Sequence, residues 1–180
     1  ELPAILVGML GDPINVDRLG GFLSWRVTNF LPVILGLWSI LALSGTLASE
    51  ARRGSLDFLL VTPLSRARIA LAKVGVHLTG LVIATLLLTA FTALSGALFA
   101  KLPGDEIGVL DSLSHYAGMT LVALVPGALA FALAPVLGRV AAAGVGAVAL
   151  FAAYTINSYA SLVPALDAIR GVSWFGWTAG

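Results

Sequence analysis

The sequence predicts an all-α, polytopic membrane protein with four transmembrane helices. Three observations predict it. Only 11% of the 180 residues are charged and 59% are hydrophobic, against roughly 25% charged in a soluble domain; the mean hydropathy is +1.01. The 19 charged residues avoid four long windows, 27–49, 74–100, 112–138 and 140–166. Each window has at least 23 residues, and a helix needs about 20 to cross a hydrocarbon core of about 30 Å. A buried helix of a soluble protein rarely runs so far without a charge.

The elements follow in order. Residues 1–26 hold a short apolar run, Leu2–Leu10, too short to span, and a turn at Gly11–Pro13. The first span, 27–49, carries Pro32 near its start, where proline disturbs helix hydrogen bonding least. The segment 50–73 then interrupts the apolar pattern, and the second span, 74–100, follows. A polar loop, 101–111, with one base and three acids leads to the third span, 112–138, with Pro126 near its middle. Gly138-Arg139 is a tight turn into the fourth span, 140–166. The segment 167–180 is mixed and aromatic, and its Trp174, Phe175 and Trp177 suit an outer aromatic belt.

Lys and Arg set the orientation. If the spans alternate, Arg52, Arg53, Arg66, Arg68, Lys73 and Arg139 share one side, and Arg18, Arg26, Lys101 and Arg170 the other. Five bases within 22 residues mark the segment 50–73 as cytoplasmic. Within it, Gly54 breaks a helix, Ser55 is a good N-cap, and Asp57 favours the positive end of a helix dipole. Leu56, Leu59 and Leu60, with Phe58 beside them, give a one-sided apolar face. Pro63 ends this two-turn helix, and Ser65 caps the next one. Such an elbow either dips into the lipid interface or fits a groove on a partner.

The stretch from Leu47 to Lys73 resembles the segment between the second and third membrane helices of ABC-2 type transporter permeases. The matching residues are Glu50, Gly54-Ser55-Leu56, Leu59-Leu60, Thr62-Pro63, Ser65-Arg66 and Lys73. The resemblance implies that the four spans are the second to fifth of six, with the first and sixth outside this sequence. It implies that Ser55, Leu56, Asp57, Phe58, Leu59 and Leu60 form a coupling helix docking on a separate ABC ATPase subunit. Glu50, Arg52, Arg53 and Arg66 would orient that elbow. The segment 167–180 would begin an outer re-entrant hairpin, although Ser173-Trp174-Phe175 stands where the family has a Ser-Pro-Phe-like motif. A second permease copy or half is implied, and membrane lipid surrounds the dimer in a bacterial or archaeal plasma membrane. ATP and Mg²⁺ would bind the ATPase, so this chain needs no cofactor.

Other chemistry finds little support. There is no cysteine and no GxxxxGK[ST] phosphate loop, so the chain is not expected to be an enzyme. Net charge is +1, which gives no field for nucleic acid. His77 and His115 are 38 positions apart without a carboxylate partner nearby in sequence; no metal site is expected, and interface hydrogen bonding suits both. The spans contain none of the acids that an intramembrane protease or proton-coupled carrier needs. Most of their serines and threonines are expected to bond to their own helix backbone. The densest polar group, Tyr154, Asn157, Ser158 and Ser161 with Tyr159, is the candidate substrate path. Small residues four apart, Ala142 with Gly146 and Ala143 with Ala147, allow close helix approach, either between subunits or within one. The alternative to a transporter is a membrane scaffold whose elbow only rides the lipid surface.

Overall fold

The computed structural model describes residues 17–45, 65–100, 105 and 107–178. Among them there is no strand. Helix α1 is Leu19–Ser44, α2 Arg66–Phe99 and α3 Val109–Tyr159; a short α4, Pro164–Asp167, and two 3₁₀ turns, Arg170–Val172 and Trp174–Thr178, complete the order. The elbow helix expected at 55–62 lies outside the described residues.

Local chemistry accounts for several helix ends. Ser65 caps α2, its Oγ accepting from the Arg68 N–H at 3.3 Å, as the sequence predicts. Asp111 sits in the first turn of α3, complementing the helix dipole. At the other end of the chain, Val163 is extended before Pro164, which agrees with the restriction proline places on its predecessor. The last uncharged window therefore outruns its helix: the helix stops at Tyr159, residues 160–162 turn, and the short α4 starts at Pro164. Helix α1 does the reverse and begins eight residues before its window, at Leu19. A charge such as Arg26 ends an apolar window without ending a helix.

Helix α3 has 51 residues, about 77 Å if it were straight. It is not straight. Gly138 has φ 78° and ψ 165°, a conformation that is essentially glycine-only, and the chain reverses there. Gly146 approaches the Pro126 carbonyl and Ala130, pairs placed about symmetrically around residue 138. The limbs 109–137 and 139–159 thus pack antiparallel.

The same contacts order the other helices. Gly36 meets Pro126 and Leu150, and Gly127 meets Ser39, so α1 runs parallel to the first limb and antiparallel to the second. Helix α2 pairs His77 with Ser39 and Thr85 with Thr120, antiparallel to both α1 and the first limb. The result is an alternating bundle of four helical rods, about 39, 51, 43 and 31 Å long in chain order.

The core lies where α1 meets the α3 hairpin. Ile40, Val122, Ala130, Leu150, Ala153 and Phe175 are buried together, and Leu35, Leu81 and Ala123 form a second cluster. Ala142 and Gly146 are buried, and Ala143 and Ala147 pack against the first cluster. The small-residue face is therefore internal packing, the second of the two alternatives the sequence leaves open. Helices α2 and α3 are long and apolar enough to cross a membrane, while the apolar part of α1 is the shorter Phe30–Ser44. Their outer faces are greasy: Val76 is 75% exposed, Phe91 67% and Val136 83%. Water-soluble proteins rarely show so large an apolar surface; hydrocarbon accepts it.

Candidate functional site

Three polar regions interrupt this apolar bundle. The first is a seam along α2. His77 Nε2 lies 3.0 Å from Ser39 Oγ on α1, and the imidazole stands edge-on to Trp38 with centroids 5.1 Å apart. Further along, Thr85 Oγ1 is 2.7 Å from Thr120 Oγ1, and Thr92 Oγ1 is 2.6 Å from the Tyr116 hydroxyl. Thr85 already donates its one proton to the Leu81 carbonyl at 2.9 Å. Thr120 must therefore donate in the Thr85 pair. Thr79 and Thr89 bond only back to Gly75 and Thr85 carbonyls in their own helix, the behaviour expected for most such residues. The interhelical pairs are each worth about 0.6 kcal/mol in a membrane; together they fix the register of α2 against its neighbours.

The second region is the end holding residues 105–116 and the C-terminal turns. Arg18 and the buried Asp105 face each other at 3.8 Å, an ion pair too long for a hydrogen bond. A cavity of about 220 Å³ opens beside them, lined by Thr92, Asp111, Ser112, His115 and Tyr116 among others. Ser112 Oγ is buried there without a protein partner. On the second limb, Tyr154 meets Phe175 edge-on at 5.8 Å. The C-terminal turns fold back onto this limb: Ser173 Oγ donates to the Ala153 carbonyl at 2.8 Å and accepts from the Phe175 N–H at 3.3 Å. Asn157 Oδ1, beneath these turns, and Trp174 Nε1, within them, are buried without hydrogen-bond partners.

The third region is the opposite end. Here Gly45, closing α1, lies under the Arg139 guanidinium: a Cβ on Gly45 would sit 3.2 Å from Nε and 3.3 Å from Cζ. Lys73, His77, Trp38 and Arg139 border one groove of about 580 Å³. All four described carboxylates, Asp17, Asp105, Asp111 and Asp167, belong to the other end. The bundle is thus polarised, basic at the Gly138 turn and mixed at the far end. Among the described residues, no three His, Asp or Glu side chains cluster in a way that could hold a metal ion.

The pattern of the family described as "ABC-2 family transporter protein" matches residues 4–158, most of the chain. The chain belongs to the ABC-2 transporter family. No curated protein and no solved structure matches it. This ABC-2 protein is a membrane transport permease, of a family that is normally non-catalytic and works with an ABC ATPase.

Of the residues singled out in the sequence of this ABC-2 permease, Glu50, Arg52, Arg53 and the coupling residues Ser55, Leu56, Asp57, Phe58, Leu59 and Leu60 lie outside the described residues. Arg66 is the first residue of α2. Tyr154, Asn157 and Ser158 share one helix face, half-buried under the C-terminal turns, whereas Ser161 is exposed beyond the helix end. The aromatic belt needs correction. Trp177 is 74% exposed, as a belt residue is, but Phe175 is 7% exposed and belongs to the core. Sequence reasoning missed the cavity formed by Thr92, Ser112 and Tyr116. Tyr116 lies 24 positions from its partner Thr92, and no local spacing brings them together.

Proposed function

We propose that this permease crosses the plasma membrane of a bacterium or archaeon four times within this sequence, at 27–49, 74–100, 112–138 and 140–166. It exports its substrate by alternating access. The observation that carries the reading is the polarised, alternating bundle of four rods, with Lys73 and Arg139 at one end and the described carboxylates at the other. The positive-inside rule makes the basic end cytoplasmic. The elbow 50–73 then leaves α1 and enters α2 on that side, where an ATPase would dock on Ser55–Leu60 with Glu50, Arg52, Arg53 and Arg66 supporting it. ATP and Mg²⁺ bind in that ATPase, and a second permease copy or half completes the pathway.

Movement of the elbow reaches the bundle through α2, which follows directly from the Ser65 cap. The interhelical bonds of His77, Thr85 and Thr92 sit along that helix, so a tilt of α2 would be transmitted to α1 and to the first α3 limb. Tyr154, Asn157 and Ser158, with the unpartnered Asn157 Oδ1, supply the polar contacts for substrate near the outer face. The substitution Leu59→Asp tests the reading. A charge in a docking groove costs on the order of 2 kcal/mol or more, about thirtyfold in ATPase affinity, while membrane insertion stays intact. Unchanged copurification of an ATPase and unchanged transport in that variant would exclude the coupling role and favour the scaffold alternative.

A further inference from the structure

The groove at the basic end has a composition that transport alone does not require. We propose that it is a binding site for one anionic phospholipid of the cytoplasmic leaflet, its phosphate held between Lys73 and Arg139. The inference rests on the helices crossing the membrane as proposed above.

The groove runs between α1 and α2 and is closed at one end by the Gly138 turn. Its mouth holds two cations and its described lining holds no carboxylate. Below the mouth the lining is apolar and open: Leu41 is 60% exposed and Val76 75%. Trp38 forms the floor. Its indole lies against Gly80, where a Cβ would be 3.1 Å from the ring, yet the residue remains 40% exposed. A site with bases above and hydrocarbon-facing side chains below matches one molecule type, a lipid with an anionic headgroup and acyl chains.

The position of each group suits its part. Arg139 begins the second limb and packs over Gly45, a residue without a side chain to displace it. Its guanidinium can therefore lie flat at headgroup depth and present paired N–H donors to phosphate oxygens. Lys73 lies two turns inside α2, and its long stem lets the ammonium reach the same plane. Tryptophan at that level is common, because the ring is apolar and its N–H is polar. Basic pockets between membrane helices on the cytoplasmic side bind anionic headgroups in this way.

The groove position of Trp38 supplies the assay. The whole permease is reconstituted in phosphatidylcholine vesicles containing increasing fractions of brominated phosphatidylglycerol or brominated phosphatidylcholine. The fluorescence lost in Trp38→Phe isolates the Trp38 signal. We expect that signal to be quenched at a lower fraction of the anionic lipid, by a factor of about five for each groove base. Lys73→Gln with Arg139→Gln should abolish the preference, and Lys73→Gln alone, which keeps the α1 contact of Arg139, should reduce it. Arg68→Gln, at the same end of α2 but not among the groove residues, should leave it unchanged.

Equal quenching by the two lipids in the unsubstituted protein would overturn the site. So would a preference that survives removal of Lys73 and Arg139, or one that disappears equally with Arg68, which would indicate diffuse surface attraction. Competition by millimolar inorganic phosphate would identify a soluble anion as the ligand and also overturn it. If neither brominated lipid quenches Trp38, the membrane placement itself fails, an outcome distinct from failure of lipid selectivity.

Discussion

Glycines that are alike in sequence differ sharply in what surrounds them. A Cβ on Gly127 would lie 2.6 Å from Ser39 Cβ and 3.0 Å from the Ser39 carbonyl carbon. The second of these is backbone and cannot rotate away, so α1 would have to shift. Ser39 also holds His77 at 3.0 Å, so the shift would disturb the α1–α2 contact as well. Gly144, on the second limb, has nothing within 4 Å of the same position. Gly127→Ala should therefore destabilise the bundle by about 1–3 kcal/mol, the usual cost of overpacking. Gly144→Ala should be neutral or slightly stabilising, since alanine is the better helix former. Unfolding midpoints in mixed micelles would read both; equal midpoints for the two variants would contradict the close approach of α1 to α3.

At the scale of elements, α3 depends on Gly138 for a different reason. Nothing lies within 4 Å of a Cβ there, so space is not the constraint; φ of +78° is. Gly138→Ala should cost about 1–3 kcal/mol through backbone strain alone, with no change in side-chain packing. The same micelle unfolding measurement checks this, and a midpoint equal to that of Gly144→Ala would mean the turn can relax to a strain-free form. The turn was legible in the sequence because glycine between two apolar windows, followed by Arg139, is local information. The Ser65 cap was legible for the same reason. What was not legible depends on partners remote in the chain. Phe175 looks like a belt residue until Ser173 pins its turn to the Ala153 carbonyl, 20 positions away. Thr92 looks like any back-bonding threonine until α2 aligns it with Tyr116. Charge-free windows located the helices, and their edges misplaced the start of α1 and the end of α3 because charge marks where a helix meets water, not where it stops.

For the whole molecule, the decisive property is that the two ends of the bundle differ in charge, and the proposed topology puts them in different compartments. The fold makes this testable residue by residue because these 180 residues hold no cysteine, so an introduced thiol is the sole one within them. Arg139→Cys lies at the Gly138 turn, and Asp111→Cys and Asp167→Cys lie at the far end beside the cavity and the C-terminal turns. If the limbs of α3 both cross the membrane, a membrane-impermeant maleimide added outside intact cells should label the cysteines at 111 and 167. It should leave the one at 139 untouched until the membrane is opened. The three sites together separate the two possible topologies of a 51-residue helix. Crossing twice puts 111 and 167 on one side and 139 on the other. A hairpin lying along one face would put all three on the same side. Labelling of 139 from outside with protection of 111 and 167 would invert the orientation, and with it the docking side for the ATPase and the leaflet of the lipid groove. Because Lys73 shares its groove with Arg139, a cysteine at position 73 must behave as the one at 139 does, which ties α2 to the same assignment.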